Sequence, residues 1–262
     1  MKKWRILETI EESGAKQMAI DEAMLIARIN NLVPNTLRFF TWKPSAITIG
    51  FFQDLEQEID LKKVKDLKVD VIRRYSGGGA VFHEDELTYS LVVSEKDLSL
   101  NVLDSYKYLC QGVVNGLKNL GIEAEFKSIN DILVKGKKIS GNAQTRKEGV
   151  ILQHGTILLS IDVEKMFSLL KISDEKLKGK LITNAKEGVS SIKNELQSTD
   201  IDLKHLEKVF RQGFSQSLNI DFNEAILSKE EKEIAQELYE NKYLSKDWSY
   251  NQKYNNRFYG KN

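Results

Sequence analysis

Three short segments hold residue types suited to chemistry on an anion. The first is Arg73-Arg74-Tyr75-Ser76-Gly77-Gly78-Gly79-Ala80-Val81-Phe82-His83. Three glycines after a strand let the backbone approach a ligand closely and present its N–H groups. Two arginines beside them add fixed positive charge for a phosphate or carboxylate. The segment is not a Walker A loop, because no Lys-Ser/Thr follows at the required spacing, and it is not the Rossmann fingerprint. Glycines alone fit a flexible turn better, and it is the adjoining Arg-Arg pair that brings anion binding level with it. The second segment is Asn130-Asp131-Ile132-Leu133-Val134-Lys135-Gly136-Lys137-Lys138-Ile139-Ser140-Gly141. An Asn-Asp pair at a strand start suits a hydrated Mg²⁺, which prefers carboxylate and substrate phosphate oxygens. Side chains alternate along a strand, so one of the two lysines turns inward, opposite to Ile139. An inward lysine is costly unless it meets an anion. The plain alternative is a solvated hairpin. The third segment, Ile151-Leu152-Gln153-His154-Gly155-Thr156, sets a histidine in an apolar strand, either lining a cavity or satisfied in the core.

Other chemistries have less behind them. His83, His154 and His205 show no metal-ligand spacing. No Gly-x-Ser-x-Gly elbow occurs. Cys110, the one cysteine, falls in a helical segment beside Leu109, Val113 and Val114. Such a thiol is expected to be buried and inert.

These segments must be positioned by regular elements. Met18, Ala19, Met24, Leu25 and Ile29 give helical periodicity from about Ala15 to Asn30. Thr36–Phe40 and Ala46–Phe51 read as strands around the turn at Lys43-Pro44-Ser45, followed by a short helix over Asp60–Leu67. Asp70–Arg73 reads as the strand that leads into the glycines, and Leu87–Val93 alternates as a strand. Val102–Leu120 has helical periodicity with Gly121 as its cap. Ile132–Val134 and Lys138–Ala143 form a hairpin through Lys135-Gly136-Lys137, and Val150–Leu152 and Thr156–Ser160 are two further strands. After Asp162 helices dominate: Val163–Leu170, Leu203–Leu218 and Lys229–Tyr239. This order predicts an α+β (mixed α/β) domain.

The 262 residues, 41% hydrophobic and 29% charged, have globular composition. With only Pro34 and Pro44 there is no Pro-rich linker, and no repeat is visible. A single catalytic domain over 1–248 and a short tail over 249–262 are expected. The tail interleaves Tyr250, Tyr254, Phe258 and Tyr259 with Lys253, Arg257 and Lys261. That pattern can bind single-stranded nucleic acid, but a terminal packing strap is the simpler reading. A net charge of +1 gives no reason to expect a nucleic-acid or membrane partner. One cysteine excludes an intramolecular disulfide and a multi-cysteine zinc site. No apolar run reaches spanning length and the N-terminus lacks a signal-peptide core, so a cytoplasmic location is expected.

In this order, Arg-Arg-x-x-Gly-Gly-Gly-Ala-Val-x-His, Asn-Asp followed by Gly-Lys-Lys-Ile-Ser-Gly, and His-Gly-Thr together resemble the lipoate–protein ligase A family of the biotin/lipoate ligase superfamily. Met18-Ala19-Ile20-Asp21-Glu22-Ala23 is similar to the family's first helix, and Lys242-Tyr243-Leu244-Ser245-Lys246-Asp247-Trp248 to the end of its catalytic domain. The resemblance implies a class II aminoacyl-tRNA synthetase/biotin protein ligase-like domain, with mixed β-sheets flanked by helices. It implies that lipoate and MgATP give lipoyl-AMP, whose acyl group passes to a lysine. The acceptors would be lipoyl domains of 2-oxoacid dehydrogenase E2 subunits or glycine-cleavage H protein. Arg74, Gly77, Gly78, Gly79, Ala80, Val81 and His83 would cradle the nucleotide and adenylate, and Asn130 and Asp131 would contact nucleotide and Mg²⁺. Lys138 would hold the lipoate carboxylate and α-phosphate as the catalytic residue. His154 and Gly155 would line the acyl channel.

Two departures bear on the reaction. The family's longer ligases carry a further C-terminal domain, and this chain is expected to lack it. The chain thus resembles the catalytic piece of two-part archaeal ligases, with a small accessory subunit as expected partner. Second, His83-Glu84-Asp85-Glu86-Leu87-Thr88-Tyr89-Ser90 and Ala143-Gln144-Thr145-Arg146-Lys147-Glu148-Gly149-Val150 are closer to the superfamily's cysteine-dependent octanoyltransferases. Those take an acyl group from acyl carrier protein through a thioester. Their nucleophile precedes the strand matching Ile132–Val134, where this chain has Glu125-Phe126-Lys127-Ser128-Ile129-Asn130. A thioester route needs a thiolate, so ATP-dependent ligation is the leading expectation. Octanoyl transfer and a non-catalytic lipoate or lipoyl-AMP binding role are the alternatives.

Overall fold

The computed structural model describes residues 2–127, 129–172, 175–254 and 258. The first part of the chain forms β1 (Lys2–Glu12), α1 (Gly14–Ile29), β2 (Thr36–Trp42), β3 (Ala46–Ile49), α2 (Leu55–Glu58), α3 (Leu61–Asp66), β4 (Asp70–Arg73) and β5 (Val81–His83). The middle forms β6 (Glu86–Ser94), α4 (Glu95–Leu98), α5 (Val102–Asn119), β7 (Glu125–Lys127), β8 (Asp131–Val134), β9 (Lys137–Lys147) and β10 (Val150–Leu158). The remainder forms α6 (Val163–Leu169), α7 (Glu175–Gly188), α8 (Ile192–Leu196), α9 (Leu203–Leu218), β11 (Ile220–Ala225), α10 (Lys229–Leu238), a π-helical turn (Tyr239–Tyr243) and α11 (Lys246–Asn251).

An eight-stranded sheet runs β11-β1-β2-β6-β10-β9-β8-β7, and a three-stranded sheet runs β4-β3-β5. The large sheet is mixed, because β1 pairs in parallel with both β11 and β2 while β2, β6, β10 and β9 pair antiparallel. Strand alternation assigns the two faces. Leu87, Tyr89, Leu91 and Val93 of β6 and Ile151 and Ile157 of β10 pack with Leu109, Val113, Phe210 and Phe214 of α5 and α9. Val92, Val150 and Leu152 turn the other way, onto Met18, Met24 and Leu25 of α1. The small sheet closes over α2, α3 and α6 through Ile47, Ile49, Val64 and Leu169. The result is the expected α+β domain with mixed sheets between helices.

The α5–α9 contact is made by glycines. A Cβ on Gly213 would fall 2.4 Å from the Gly116 nitrogen and 2.6 Å from the Gly112 carbonyl oxygen. A backbone neighbour cannot rotate away, so the helices approach only because position 213 has no side chain. Elsewhere two buried ion pairs tie the C-terminal helices down. Arg5 pairs with Glu231 of α10, and Lys242 reaches both carboxylate oxygens of Glu22 on α1 at 2.8 and 2.6 Å.

Several elements differ from the sequence reading. The two strands expected at 150–152 and 156–160 are one strand, β10, and His154 sits in its middle. Gly155 looks like a break, but it pairs with Tyr89 on one side and Asn142 on the other. Strands β1 and β11 are additions. In β1, buried Trp4 to Leu7 run without alternation, and β11 is a polar edge strand in which only Ile220 is buried. Pairing to neighbours, not pattern, makes both strands. Helix α11 crosses the expected boundary at Trp248, and Tyr254 and Phe258 pack against the α1-side core.

Gly213→Ala is expected to lower unfolding free energy by about 1–3 kcal/mol in urea titrations. Gly179→Ala, whose Cβ meets nothing within 4 Å on α7, should be neutral or stabilising by up to about 1 kcal/mol.

Candidate active site

A cavity of about 350 Å³ lies between the large sheet and the small one. Arg74, Gly78, Gly79, Ala80, Val81, His83, Asn130, Lys138, His154 and Gly155 all line it. Two of the expected residues, Gly77 and Asp131, are absent from the lining but contact Arg74 and Lys138, which are present. Met18, Trp42, Phe82, Leu158, Ile161 and Met166 supply an apolar wall beside the polar groups. An amphiphilic ligand, with a hydrocarbon chain and an anionic head, matches such a lining.

The glycine-rich loop is shaped by Arg74. Its Nη2 donates to the Gly77 carbonyl at 2.6 Å and the Gly79 carbonyl at 2.8 Å. Its Nη1 donates to the Thr48 carbonyl and hydroxyl, both at 3.1 Å, and its Nε to Ser76 Oγ at 3.2 Å. The fork of five N–H donors is therefore spent on the protein. Burial lowers the Arg74 pKa to about 10, and the group remains a cation at neutral pH. With the carbonyls turned back to Arg74, the N–H groups of Gly77, Gly78 and Gly79 donate to no other described residue. A run of free N–H groups is a nest for an anion. Gly78 has φ +98°, and Gly50 leaves room for it, since a Cβ there would fall 1.9 Å from the Gly78 carbonyl oxygen. Arg73 turns away and donates to the carbonyls of Gly50, Phe51, Gln53, Trp248 and Ser249.

Facing the loop, Lys138 on β9 pairs with Asp131 of β8 at 2.7 Å. The hairpin that joins them turns through Lys135 (φ +50°) and Gly136 (φ +78°). Ile139, next in the strand, is fully buried on the α5 side, as alternation requires. Gly141 makes space for the lysine, because a Cβ there would sit 2.8 Å from Lys138 Nζ. Asn130 is pinned by Asn142, a cavity residue that the motif reading missed. Asn142 Nδ2 donates to the Asn130 carbonyl at 2.8 Å, and Asn130 Nδ2 donates to the Asn142 carbonyl. Tyr89 holds Asn142 in turn, donating to its Oδ1 at 2.5 Å. Gly155 makes this clasp possible: a Cβ there would lie 2.0 Å from Asn142 Oδ1.

No group of three or more His, Cys, Asp or Glu among the described residues could hold a metal ion. Asp131 offers one carboxylate, which fits Mg²⁺ only where substrate phosphates supply further oxygens.

His154 is buried, with Nδ1 3.2 Å from Asp21 Oδ2 and Nε2 2.6 Å from Ser76 Oγ. Burial is the main cause that lowers its pKa, opposed by Asp21 and reinforced by Arg74 and His83. Cys110 lies in α5 against the sheet face bearing Tyr89 and Gln153, and it is not part of the cavity lining. Burial pushes its thiol up to about 12, which leaves almost no thiolate at neutral pH.

Residues 13–215 match the lipoyl protein ligase A/B catalytic domain, and the chain belongs to that family. Among relatives, octanoyltransferase LipM of Clostridioides difficile is 38% identical over 95% of this chain and 99% of its own length. LipM of Brevibacillus brevis is 36% identical with the same coverage. Among solved structures, a bi-partite lipoate protein ligase from Thermoplasma acidophilum, described with its E2 lipoyl domain, superposes with TM-score 0.87 at 28% identity, covering 98% of this chain and 100% of that one. A lipoate–protein ligase A bound with ATP gives TM-score 0.80 at 28% identity, covering 95% and 98%. The relatives' names fit acyl transfer better than the ATP-dependent ligation expected from the motifs. No helix among the described residues is long and apolar enough to cross a membrane.

Two outcomes follow from these environments. Cys110 should resist iodoacetamide in the native protein at pH 8 and react fully once unfolded, as read by mass spectrometry. For His154, the unfolded chain binds a proton near the ordinary value of 6.5 that the native chain refuses. Its stabilising contribution is therefore complete above 6.5 and lost as pH falls toward the lower native pKa. Urea midpoints should drop on acidification below 6.5, and His154→Gln should reduce that slope.

Proposed function

We propose that this chain transfers a lipoyl-type acyl group to the acceptor lysine of a lipoyl domain without a thioester on its own side chains. The carrying observation is Lys138, held by Asp131 on the cavity wall, in a chain whose one cysteine is buried elsewhere. We infer that the acyl group is activated as an adenylate, from lipoate or octanoate and ATP. A carboxylate approaching a phosphate meets like-charge repulsion, and a fixed ammonium lowers that cost and stabilises charge that grows in the transition state. Lys138 would exchange Asp131 for the acyl carboxylate and then polarise the acyl carbonyl toward the incoming amine. The free N–H groups of Gly77 to Gly79 would face the phosphates. His154 and the apolar wall would border the acyl chain. Mg²⁺, held by Asp131 with the substrate phosphates, would neutralise phosphate charge.

A second reading is supported by the LipM relatives: octanoyl transfer from acyl carrier protein. With no thiol at the cavity, the carrier thioester would be attacked directly by the acceptor lysine. Both readings share the acceptors, E2 lipoyl domains and glycine-cleavage H protein. The bi-partite neighbour supports a separate accessory subunit for the ligase reading.

The test supplies a lipoyl domain with either lipoate plus MgATP or octanoyl-acyl carrier protein, with and without the accessory subunit. Acylation from lipoate and MgATP, with lipoyl-AMP and pyrophosphate, is expected, and Lys138→Ala should lower it by about a hundredfold or more while the fold is kept. Acylation from the carrier alone would replace the adenylate route with the second reading. Inertness toward both donors would overturn both.

A further inference from the structure

Two hydrogen-bonded relays converge on Arg74, one at Nε and one at Nη1. In one, Asp21 Oδ2 lies 3.2 Å from His154 Nδ1, His154 Nε2 lies 2.6 Å from Ser76 Oγ, and Arg74 Nε donates to that oxygen. In the other, Glu86 Oε1 lies 2.7 Å from His83 Nδ1, His83 Nε2 lies 2.8 Å from Thr48 Oγ1, and Arg74 Nη1 donates to that oxygen. Both carboxylates are buried and anchored independently of the histidines. Asp21 accepts from Ser90 Oγ at 2.6 Å, with Arg38 3.6 Å away, and Glu86 accepts from Trp42 Nε1 at 3.1 Å and Thr88 Oγ1 at 2.5 Å. Trp42 also stacks on His83, with ring centroids 4.0 Å apart.

The direction of each bond is determined by its ends. A carboxylate only accepts and a guanidinium only donates. Each histidine therefore carries its proton on Nδ1, toward the carboxylate. Each Nε2 takes the hydroxyl proton of Ser76 or Thr48, which leaves the hydroxyl oxygen to receive Arg74. With the proton on Nε2 instead, the ring and Arg74 would both aim donors at one oxygen, and the hydroxyl would lose its acceptor.

We propose that Asp21 and Glu86 are positioning residues for the glycine-rich loop: each locks a histidine tautomer, and the paired hydroxyls then orient Arg74, which turns the Gly77 and Gly79 carbonyls inward and the loop N–H groups toward the ligand. Neither carboxylate belongs to the cavity lining, so both act through other residues. The inference rests on reading the loop as the anion site, and it adds residues outside the Gly-rich motif to that site's machinery.

The decisive measurement needs no substrate. The chain has three histidines, and long-range ¹H–¹⁵N spectra at neutral pH resolve their tautomers, assigned by single His→Gln variants. His83 and His154 should both show the Nδ1–H form in the wild type. Asp21→Asn should shift only His154 toward Nε2–H, and Glu86→Gln only His83. Each should also move the amide signals of Gly77 to Gly79, and pyrophosphate, titrated calorimetrically, should bind about tenfold or more weakly. An Nε2–H form of either ring in the wild type would overturn the proposal even if neither variant folded. So would variants that change the tautomer and leave the loop amides in place. Failure of wild-type protein to bind pyrophosphate, with tautomers and amide shifts as stated, would instead remove the anion reading of the loop and keep the relays.

Discussion

The site depends on one buried guanidinium. Arg74 could have been an anion ligand, and its place beside three glycines suggests that. In the folded chain all of its donors go to Thr48, Ser76, Gly77 and Gly79. It acts as a frame for the loop. A loop of three glycines has high conformational entropy and no side chains to pack, so its shape must be imposed from outside. Arg74 does this by collecting two loop carbonyls, and the amides of Gly77 to Gly79 are left without a described acceptor.

Helix α1 connects that frame to the rest of the molecule through adjacent acids on a helix that is buried nearly throughout. Asp21 faces His154 and Ser90, while Glu22 faces Lys242 and Tyr243. Lys242 also lies 3.9 Å from the Trp248 ring centroid, and Trp248 Nε1 donates to the Arg73 carbonyl. Arg73 returns contacts to the Trp248 and Ser249 carbonyls. The C-terminal segment thus clasps the strand that launches the glycine loop. A buried charge pair contributes little net stability over an apolar pair of similar shape, but breaking it by removing one partner is costly. Here its effect is to hold α1, the loop and the C-terminal strap in one arrangement.

Much of the site was legible in the sequence because its chemistry is local. The glycines, the Lys135-Gly136 turn and the alternation of Lys138 with Ile139 follow from rules that act over a few residues. The residues that were missed act across long separations. Asn142 matters through Asn130 and Tyr89, Thr48 through His83 and Arg74, and Asp21 through a histidine 133 positions away. The available signal for Asp21 was two successive acids, Asp21 and Glu22, inside an apolar helix, where burial demands partners. Strands β1 and β11 escaped for a related reason, since they are defined by neighbours rather than by their own pattern.

The family and the local chemistry constrain the reaction differently. Relatives named octanoyltransferase match nearly the whole chain at 36–38% identity, so the scaffold is shared. A scaffold does not dictate how the acyl group is activated. That depends on which groups reach the cavity, and the one thiol of this chain does not: it sits in α5, with its pKa raised to about 12. What does reach the cavity is Lys138, together with Gly78 and Gly79 of the loop, whose amides donate to no other described residue. Both groups stabilise negative charge and neither is a nucleophile suited to a thioester exchange. On the reading proposed above, the acyl group would be carried on a phosphate or on a carrier rather than on a side chain of this protein, and these groups would hold the developing anion while an outside amine attacks.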